Sequence, residues 1–400
     1  MKTIFLISQF FPPETGAAAK RVFSLAGALA DRFNVIISTL RPSYPSHDLY
    51  NQIDLEAHDR DLKFTILRSF NFNPYSKSLI IRGLREIYLA LRLAGRASSI
   101  KADLILVSTP SMFLGPFGWL LAKVKRAQFV WDVRDLTWRY GRESVEAGNL
   151  QVVITDMIEA LMKAVLRRTD FVVGATPGVS QLLIAEHGVR ASKVATISNG
   201  VSRKFIDAFN ENAGCQHTRP RVLYLGLLGN NHGIGILIDV ARLLPDIDFI
   251  IVGDGPEKPI IESRIEELGI GNLSLRGYCT NENEMVAFYQ DSDILFNHTK
   301  DRPVLNDTVM PFKNFEYMAT GKPMVYAGKG LAVDFLTQIG CAEIAAPENP
   351  ESIAAAIRRL LDNPGRARAM GQKGRAFVKE NYVREDLMER YAAEIDDRRL

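Results

Sequence analysis

Cysteine is scarce: three in 400 residues, Cys215, Cys279 and Cys341, far apart and in no C-x-x-C pair. That spacing excludes a disulfide framework and a thiolate zinc site and suits a reducing compartment, so a cytoplasmic protein is expected. Charge of one sign is also lacking. Lys and Arg number 49 against 46 Asp and Glu, a formal net charge of +3, and the bases form no dense run, which argues against nucleic acid as a partner. The most apolar long stretch, Leu104 to Leu121, is broken by Ser108, Thr109, Pro110, Ser111, Gly115 and Pro116, so it reads as strand, loop and helix rather than a membrane span. The opening Ile4 to Ser8 run lacks a long apolar segment and a small-residue cleavage site and reads as a first buried strand. H-E-x-x-H, H-x-x-x-H, G-x-S-x-G and G-x-G-x-x-G are missing too. Metal hydrolysis, a serine nucleophile and dinucleotide binding therefore have no parts, and neither metal nor cofactor is expected.

What is present is a globular balance, 47% apolar and 24% charged. The chain is too long for one ordinary core, so two domains of roughly 200 residues each are expected. Short β-branched runs alternate with helical periods almost from end to end, the pattern of parallel sheets covered by helices. Strands are expected at Thr3 to Ser8, Asn34 to Thr39, Leu104 to Ser108, Gln128 to Val133, Phe171 to Ala175 and Val194 to Ile197. Gly200 to Pro220 carries no sustained period and reads as a linker. The pattern then restarts, with strands at Arg221 to Leu225, Asp248 to Val252, Leu273 to Arg276, Ile294 to Asn297 and Met324 to Ala327. The expected division is 1–199, a linker 200–220, 221–378, and a last helix within 379–400.

The first strand leads into Phe11-Pro12-Pro13-Glu14-Thr15-Gly16 and a helix opening on Ala17-Ala18-Ala19. Small residues at a positive helix end admit an anionic or hydroxyl-rich group, which makes Gly16 a candidate; a tight turn with no ligand fits the same residues. Past another strand lies Asp132-Val133-Arg134-Asp135 between two tryptophans, Trp131 and Trp138. Ligands of doubly wound sheets collect at strand carboxyl ends, so Asp132, Arg134 and Asp135 are candidates for acceptor binding or acid–base work, against a solvated ion-paired loop.

In the second half, Gly226-Leu227-Leu228-Gly229-Asn230-Asn231-His232-Gly233 joins a strand to a helix. Gly226, Gly229 and His232 are candidates for holding a diphosphate against backbone N–H groups, although a lone glycine-rich turn is equally a structural device. Gly253, in Val252-Gly253-Asp254-Gly255-Pro256, is mainly an architectural turn and joins the same list. The densest cluster runs from Lys300, Arg302, Asp307 and Thr308 to Pro311-Phe312-Lys313-Asn314-Phe315-Glu316, where a helix is expected to start near Pro311. A diphosphate there would meet free donors and the Lys313 ammonium, while Glu316 could accept hydrogen bonds from ribose hydroxyls. A structural amphipathic helix is the rival reading.

Taken in order, the segments F-P-P-E-T-G with A-A-K-R-V-F-S-L-A, V-R-D-L, T-P-G, I-S-N-G-V, V-G-D-G-P and P-F-K-N-F-E-Y-M-A-T-G-K-P resemble the family-four retaining glycosyltransferases. The resemblance is strongest to the bacterial branch that builds surface polysaccharide and includes N-acetyl-L-fucosamine transferases. It implies the α/β GT-B fold: two Rossmann-like doubly wound parallel-sheet domains, with acceptor on the first, nucleotide sugar on the second, and the reaction in the cleft between. It also implies a last helix, Tyr382 to Ile395, returning to the first domain. Glu316 resembles the ribose-holding second glutamate of the family's pair, and Gly16 the small residue of the N-terminal loop.

The chain departs from the family where the first glutamate of that pair falls at Thr308, beside Asp307. Leu227 and His232 stand where many relatives carry an arginine and a lysine, which leaves the phosphate charge to Lys313 with Lys300 or Arg302. The implied partners are a nucleotide diphosphate sugar, uridine favoured over guanosine, and a saccharide or lipid-linked saccharide acceptor. Peripheral contact with the inner membrane would run through the basic stretches Leu79 to Lys101 and Trp119 to Arg126, with a plain solvated face as the alternative. Two other functions keep the fold: a nucleotide-sugar 2-epimerase, and a noncatalytic partner protein.

Overall fold

The computed structural model describes residues 1–14, 16–43, 47–70, 79–139, 149–209, 217–279 and 281–398. Thr15, Tyr140, Gly214 and Cys215 lie outside the described residues, as does the side chain of Arg82. The chain divides into two compact units, Met1–Asn199 with Glu385–Leu400, and Gly200–Arg384.

The first unit is built on seven parallel strands: β1 (Thr3–Ser8), β2 (Asn34–Leu40), β3 (Thr65–Ser69), β4 (Leu104–Ser108), β5 (Gln128–Val133), β6 (Phe171–Gly174) and β7 (Val194–Thr196), in spatial order β3-β2-β1-β4-β5-β6-β7. The central strands are mostly apolar because helices cover both faces, and Phe5, Ile105, Val107, Phe129 and Trp131 are buried in one core. Helix Leu114–Lys125 comes so close to that core that a Cβ on Gly115 would stand 2.0 Å from the Trp131 ring, so only glycine fits there. Strand order reverses beside β1, and Ser8 pairs with Ser108, which pairs with Asp132. The loops after β1, β4 and β5 therefore open at one carboxyl edge, at the switch point where doubly wound sheets bind ligands.

The second unit repeats the plan with β8 (Arg221–Leu225), β9 (Asp248–Val252), β10 (Leu273–Arg276), β11 (Ile294–His298), β12 (Met324–Ala327) and β13 (Glu343–Ala345), ordered β10-β9-β8-β11-β12-β13. Its switch point lies between β8 and β11. Helix Phe312–Thr320 buries seven of its nine residues, Asn314 through Thr320. Tyr317 ties it to both central strands: its hydroxyl accepts from Leu225 N–H at 3.3 Å and donates to the Phe296 carbonyl at 3.2 Å.

The structure also has elements that the sequence reading did not name. Both sheets have an edge strand more, β3 and β13. Within the span read as linker, helix Arg203–Asp207 forms under a Ser202 cap, and Phe205, Ile206 and Phe209 are buried in the second unit's core, with Phe205 and Phe209 edge-on to Tyr289. A short helix, Pro303–Thr308, stands ahead of helix Phe312–Thr320. The final helix, Arg384–Asp397, belongs to the first unit from Glu385 onward.

Candidate functional site

At the carboxyl edge of the second sheet, the turns after β8 and β9 interlock. Gly226 N–H donates to the Val252 carbonyl and Leu228 N–H to that of Asp254, both at 2.8 Å. A Cβ on Gly253 would lie 1.9 Å from the Gly226 carbonyl oxygen, so Gly253 acts by close approach of two backbones and supports the Gly226 turn. Gly226 has φ +152°, and a Cβ there would meet Lys313 Cε at 1.8 Å. The lysine stem thus lies flat against the glycine backbone. Gly229 accepts at its carbonyl from His232 N–H at 2.9 Å, which closes the turn.

Lys313 stands in the first turn of helix Phe312–Thr320, whose N-cap, Pro311, supplies no side-chain acceptor for the first-turn N–H groups. Its Nζ lies 5.1 Å from the Tyr224 ring centroid. Burial pulls the Lys313 ammonium down to about 8, opposed by the attraction of Glu316. Glu316 itself is buried, and Tyr289 Oη donates to its Oε2 at 3.5 Å. Asn314 accepts at Oδ1 from Asn297 Nδ2 at 2.7 Å, and its own Nδ2 is buried without a partner. Phe312 packs under the Arg384 guanidinium.

His232 is held neutral. Burial above all, then Lys313, pushes its imidazole down to about 3, and its Nδ1 is buried without a partner. His298, the last residue of β11, accepts at Nε2 from Glu348 N–H at 3.0 Å, which leaves Nδ1 to donate to the His232 carbonyl. Burial holds His298 below the usual imidazole range as well. One sheet edge therefore carries a partly buried cation, two neutral imidazoles, a helix N-terminus without a side-chain cap and a buried carboxylate.

The other candidates of this unit are placed differently. Lys300 packs its stem on Gly233 and pairs with Glu257 at 3.5 Å; Arg302, exposed, donates to Asn231 Oδ1 at 3.3 Å. Asp307 is exposed on the short helix, and Thr308 turns inward with its hydroxyl donating to the Val304 carbonyl. A groove of about 820 Å³ lies at the opposite, amino-terminal edge of the same sheet, lined by Pro220, Ile294, Pro323, Arg368, Arg375 and Lys379. It holds none of the sequence candidates.

In the first unit, Asp132 is fully buried. Its carboxylate takes Arg21 Nη2 at 2.7 Å and Nε at 3.0 Å, together with Ser108 Oγ at 2.8 Å. Arg21 also donates to the Ser198 carbonyl at 3.0 Å and lies over the Tyr391 ring. Asp132, a sequence candidate for acceptor binding or acid–base work, thus holds a buried ion pair with Arg21. Arg134 and Asp135 remain half-buried beyond it. Burial raises the Asp135 carboxyl against the pull of Arg134, and lowers Arg134, whose Nε is buried without a partner among the described residues. Gly16 caps helix Ala17–Ala30, and a Cβ there would meet no atom of the described residues within 4 Å.

Sequence reasoning missed His298, Tyr224, Asn297 and the Arg21 pairing. Arg21 carried a signal, as a cation among the buried positions of a helix, whereas the other three sit in strands that read as core.

Family models cover both units in turn: the glycosyl transferase 4-like domain matches residues 16–200 and glycosyl transferases group 1 matches residues 206–377. The D-rhamnosyltransferase WbpZ of Pseudomonas aeruginosa is 22% identical over 58% of this chain and 61% of its own. The chain spans about three fifths of the length of the first curated relatives it matches. Among solved structures, sucrose-phosphate synthase from Thermosynechococcus elongatus superposes with a TM-score of 0.77 at 18% identity, covering 99% of each chain. HepE of Anabaena, solved in complex with UDP, gives 0.70 at 17%, covering 99% of this chain and all of that one.

Proposed function

Because the chain is a glycosyltransferase of the GT-B, family-four-like kind, we propose that it moves a sugar from a nucleotide diphosphate sugar to a saccharide or lipid-linked saccharide acceptor, with retained anomeric configuration, in the building of a surface polysaccharide. The second unit holds the donor. The diphosphate lies at the start of helix Phe312–Thr320, against its first-turn N–H groups and the Lys313 ammonium, and Glu316 accepts from the ribose hydroxyls. The arrangement of Lys313 along the Gly226 backbone, with Glu316 one turn further into the same helix, is the observation that carries this reading.

Departure of the nucleotide leaves negative charge on the diphosphate. Donors already in place stabilise that charge without reorganising, an effect worth several kcal/mol in preorganised sites. His232, kept neutral by burial, leaves the cationic work to Lys313. UDP is the favoured nucleotide, in line with the complex formed by HepE. On the first unit, Arg134 and Asp135 face the acceptor, Asp135 as a carboxyl whose raised pKa suits proton handling. Asp132 keeps Arg21 in place. The two family models, both of glycosyl transferases, support transfer over epimerisation.

A thermal-shift panel of UDP, GDP and their sugars tests this, since a ligand that binds only the folded state raises its melting temperature. UDP or a UDP-sugar should give the largest shift in the native chain and none in Glu316→Ala. A full shift in that variant would remove Glu316 from the site.

A further inference from the structure

The glycine turn against which Lys313 lies is held at its two ends by different neighbours. Its front half, Gly226 to Leu228, is pinned by the turn after β9: besides the two bonds described above, Glu257 N–H donates to the Leu228 carbonyl at 3.0 Å. Its back half, Asn231 to Gly233, rests on the loop after β11. Lys300 N–H donates to the Asn231 carbonyl at 3.0 Å, and the His298 ring donates to the carbonyl of His232. A Cβ on Gly233 would lie 3.3 Å from His298 Cε1, so the ring also packs on the backbone of the turn.

His298 ends a strand of the sheet centre and is 1% exposed, with its ring stacked on Phe296 two residues earlier. A neutral imidazole offers one donor and one acceptor, and the partner at one nitrogen decides what the other does. Here the deciding partner is Glu348 N–H, in the loop after β13, which donates to Nε2. Glu348 stands at φ +55°, a left-handed conformation sparsely populated by residues with a side chain, and it is tied to the β11 loop twice. Its N–H meets His298, and its Oε2 accepts from Asp301 N–H at 3.2 Å. Three loops of one carboxyl edge, after β8, β11 and β13, thus meet at a single ring. Glu348 fixes the tautomer, and the tautomer fixes a donor on the His232 carbonyl.

The residue at position 232 gives that bond a use. Lys313 stands close enough to oppose a charge on His232, which burial already keeps neutral. A turn with a neutral ring at its back has no charge by which a diphosphate could draw it into register, so its position has to be set before the ligand arrives. We infer that His298 is a positioning residue of the donor site: through the His232 carbonyl it fixes the back half of the glycine turn, and so the wall that a nucleoside diphosphate meets beside Lys313. It acts through the turn rather than on the ligand. This rests on the reading that the diphosphate lies at this sheet edge, and it adds to that reading a residue whose own contacts are all with protein.

Two substitutions at the one position separate the two nitrogens. An asparagine amide lies at the level of Nδ1 and can keep the donor to His232, whereas a glutamine amide reaches the level of Nε2 and can keep the bond with Glu348 instead. Calorimetric titration with UDP, alongside the melting temperature of the ligand-free chain, reads the difference. His298→Asn should bind UDP within about twofold of the native chain and His298→Gln roughly three- to tenfold more weakly, the worth of one neutral hydrogen bond, with the two variants melting alike. His298→Ala, which keeps neither bond, takes the place of the glutamine variant if that chain does not fold, and should also bind more weakly than His298→Asn. Equal affinities in the two variants, the reverse order, or an asparagine chain that fails to fold would overturn the inference and make the ring a support for the unit as a whole. A native chain that does not bind UDP would remove the donor reading and this inference with it. A native chain that binds UDP beside two indistinguishable variants would remove this inference alone.

Discussion

Replacing Lys313 by methionine should make the ligand-free protein more stable and the nucleotide complex weaker at the same time. In the free chain the ammonium is held against its preference: the fall from 10.5 to about 8 corresponds to about 3 kcal/mol against the charged form. Lys313 keeps partial contact with water, so only about 1–2 kcal/mol of that is expected in stability. Methionine retains the stem packing along Gly226 and gives up the contact with the Tyr224 ring, worth about 0.5–1 kcal/mol. A net gain of about 1 kcal/mol remains, a rise of roughly 2–4 °C for a unit of this size. The diphosphate loses a charge-assisted hydrogen bond worth about 1.5–3 kcal/mol, so UDP should bind roughly 10- to 150-fold more weakly.

Acidity separates this from general damage. The unfolded lysine titrates near 10.5 and the folded one near 8, so between those values the unfolded chain holds more protons and stability rises with pH. Below about 8 the contribution is flat. UDP affinity runs the other way and weakens above about pH 8 as the ammonium is lost. Scanning calorimetry with and without UDP at pH 7 and 9 reads all of this, and the variant should show neither slope. A Lys313→Met chain that melts lower and binds UDP undiminished would refute the reasoning.

Other outcomes follow from the same geometry. Gly253→Ala should destabilise the second unit more than Gly226→Ala in a urea titration, because its new Cβ meets a backbone carbonyl at 1.9 Å whereas the other meets a lysine stem that can swing away; Gly226→Ala should nevertheless lose UDP binding. Asp132→Asn leaves Arg21 buried without its counter-charge and should cost about 3–5 kcal/mol of first-unit stability, with the UDP shift of the second unit intact. His232, pushed to about 3, refuses the proton its unfolded form accepts near 6.5, so stability should fall as pH drops below 6.5. At pH 5, His232→Gln should recover about 1–2 kcal/mol relative to the native chain, and equal losses in both would exclude the histidine as the cause.

Inner strands of both sheets were legible because parallel strands covered on both faces are mostly apolar, as in Leu104–Ser108 and Asp248–Val252. The two strands that escaped notice are both at edges. Thr65–Ser69 is half-buried and mixes Thr, Arg and Ser with its apolar residues, and Glu343–Ala345 is three residues long, so neither leaves an apolar run. Helix Phe312–Thr320 announced itself through Pro311 and Gly321, while Arg203–Asp207 is too short to show a period. Site residues were legible by type and not by engagement. Nothing local distinguishes Asp132, consumed by an arginine 111 positions earlier, from Asp135 three residues on. Only the register that sets β4 and β5 side by side under helix Ala17–Ala30 separates them.

A crystal structure of the chain grown with UDP tests the central claim most directly. The diphosphate should lie beside Lys313 Nζ and the first-turn N–H groups of helix Phe312–Thr320, with the ribose hydroxyls on Glu316. Nucleotide density in the groove lined by Arg368, Arg375 and Lys379 at the other edge of the sheet, with the Gly226 turn empty, would contradict it.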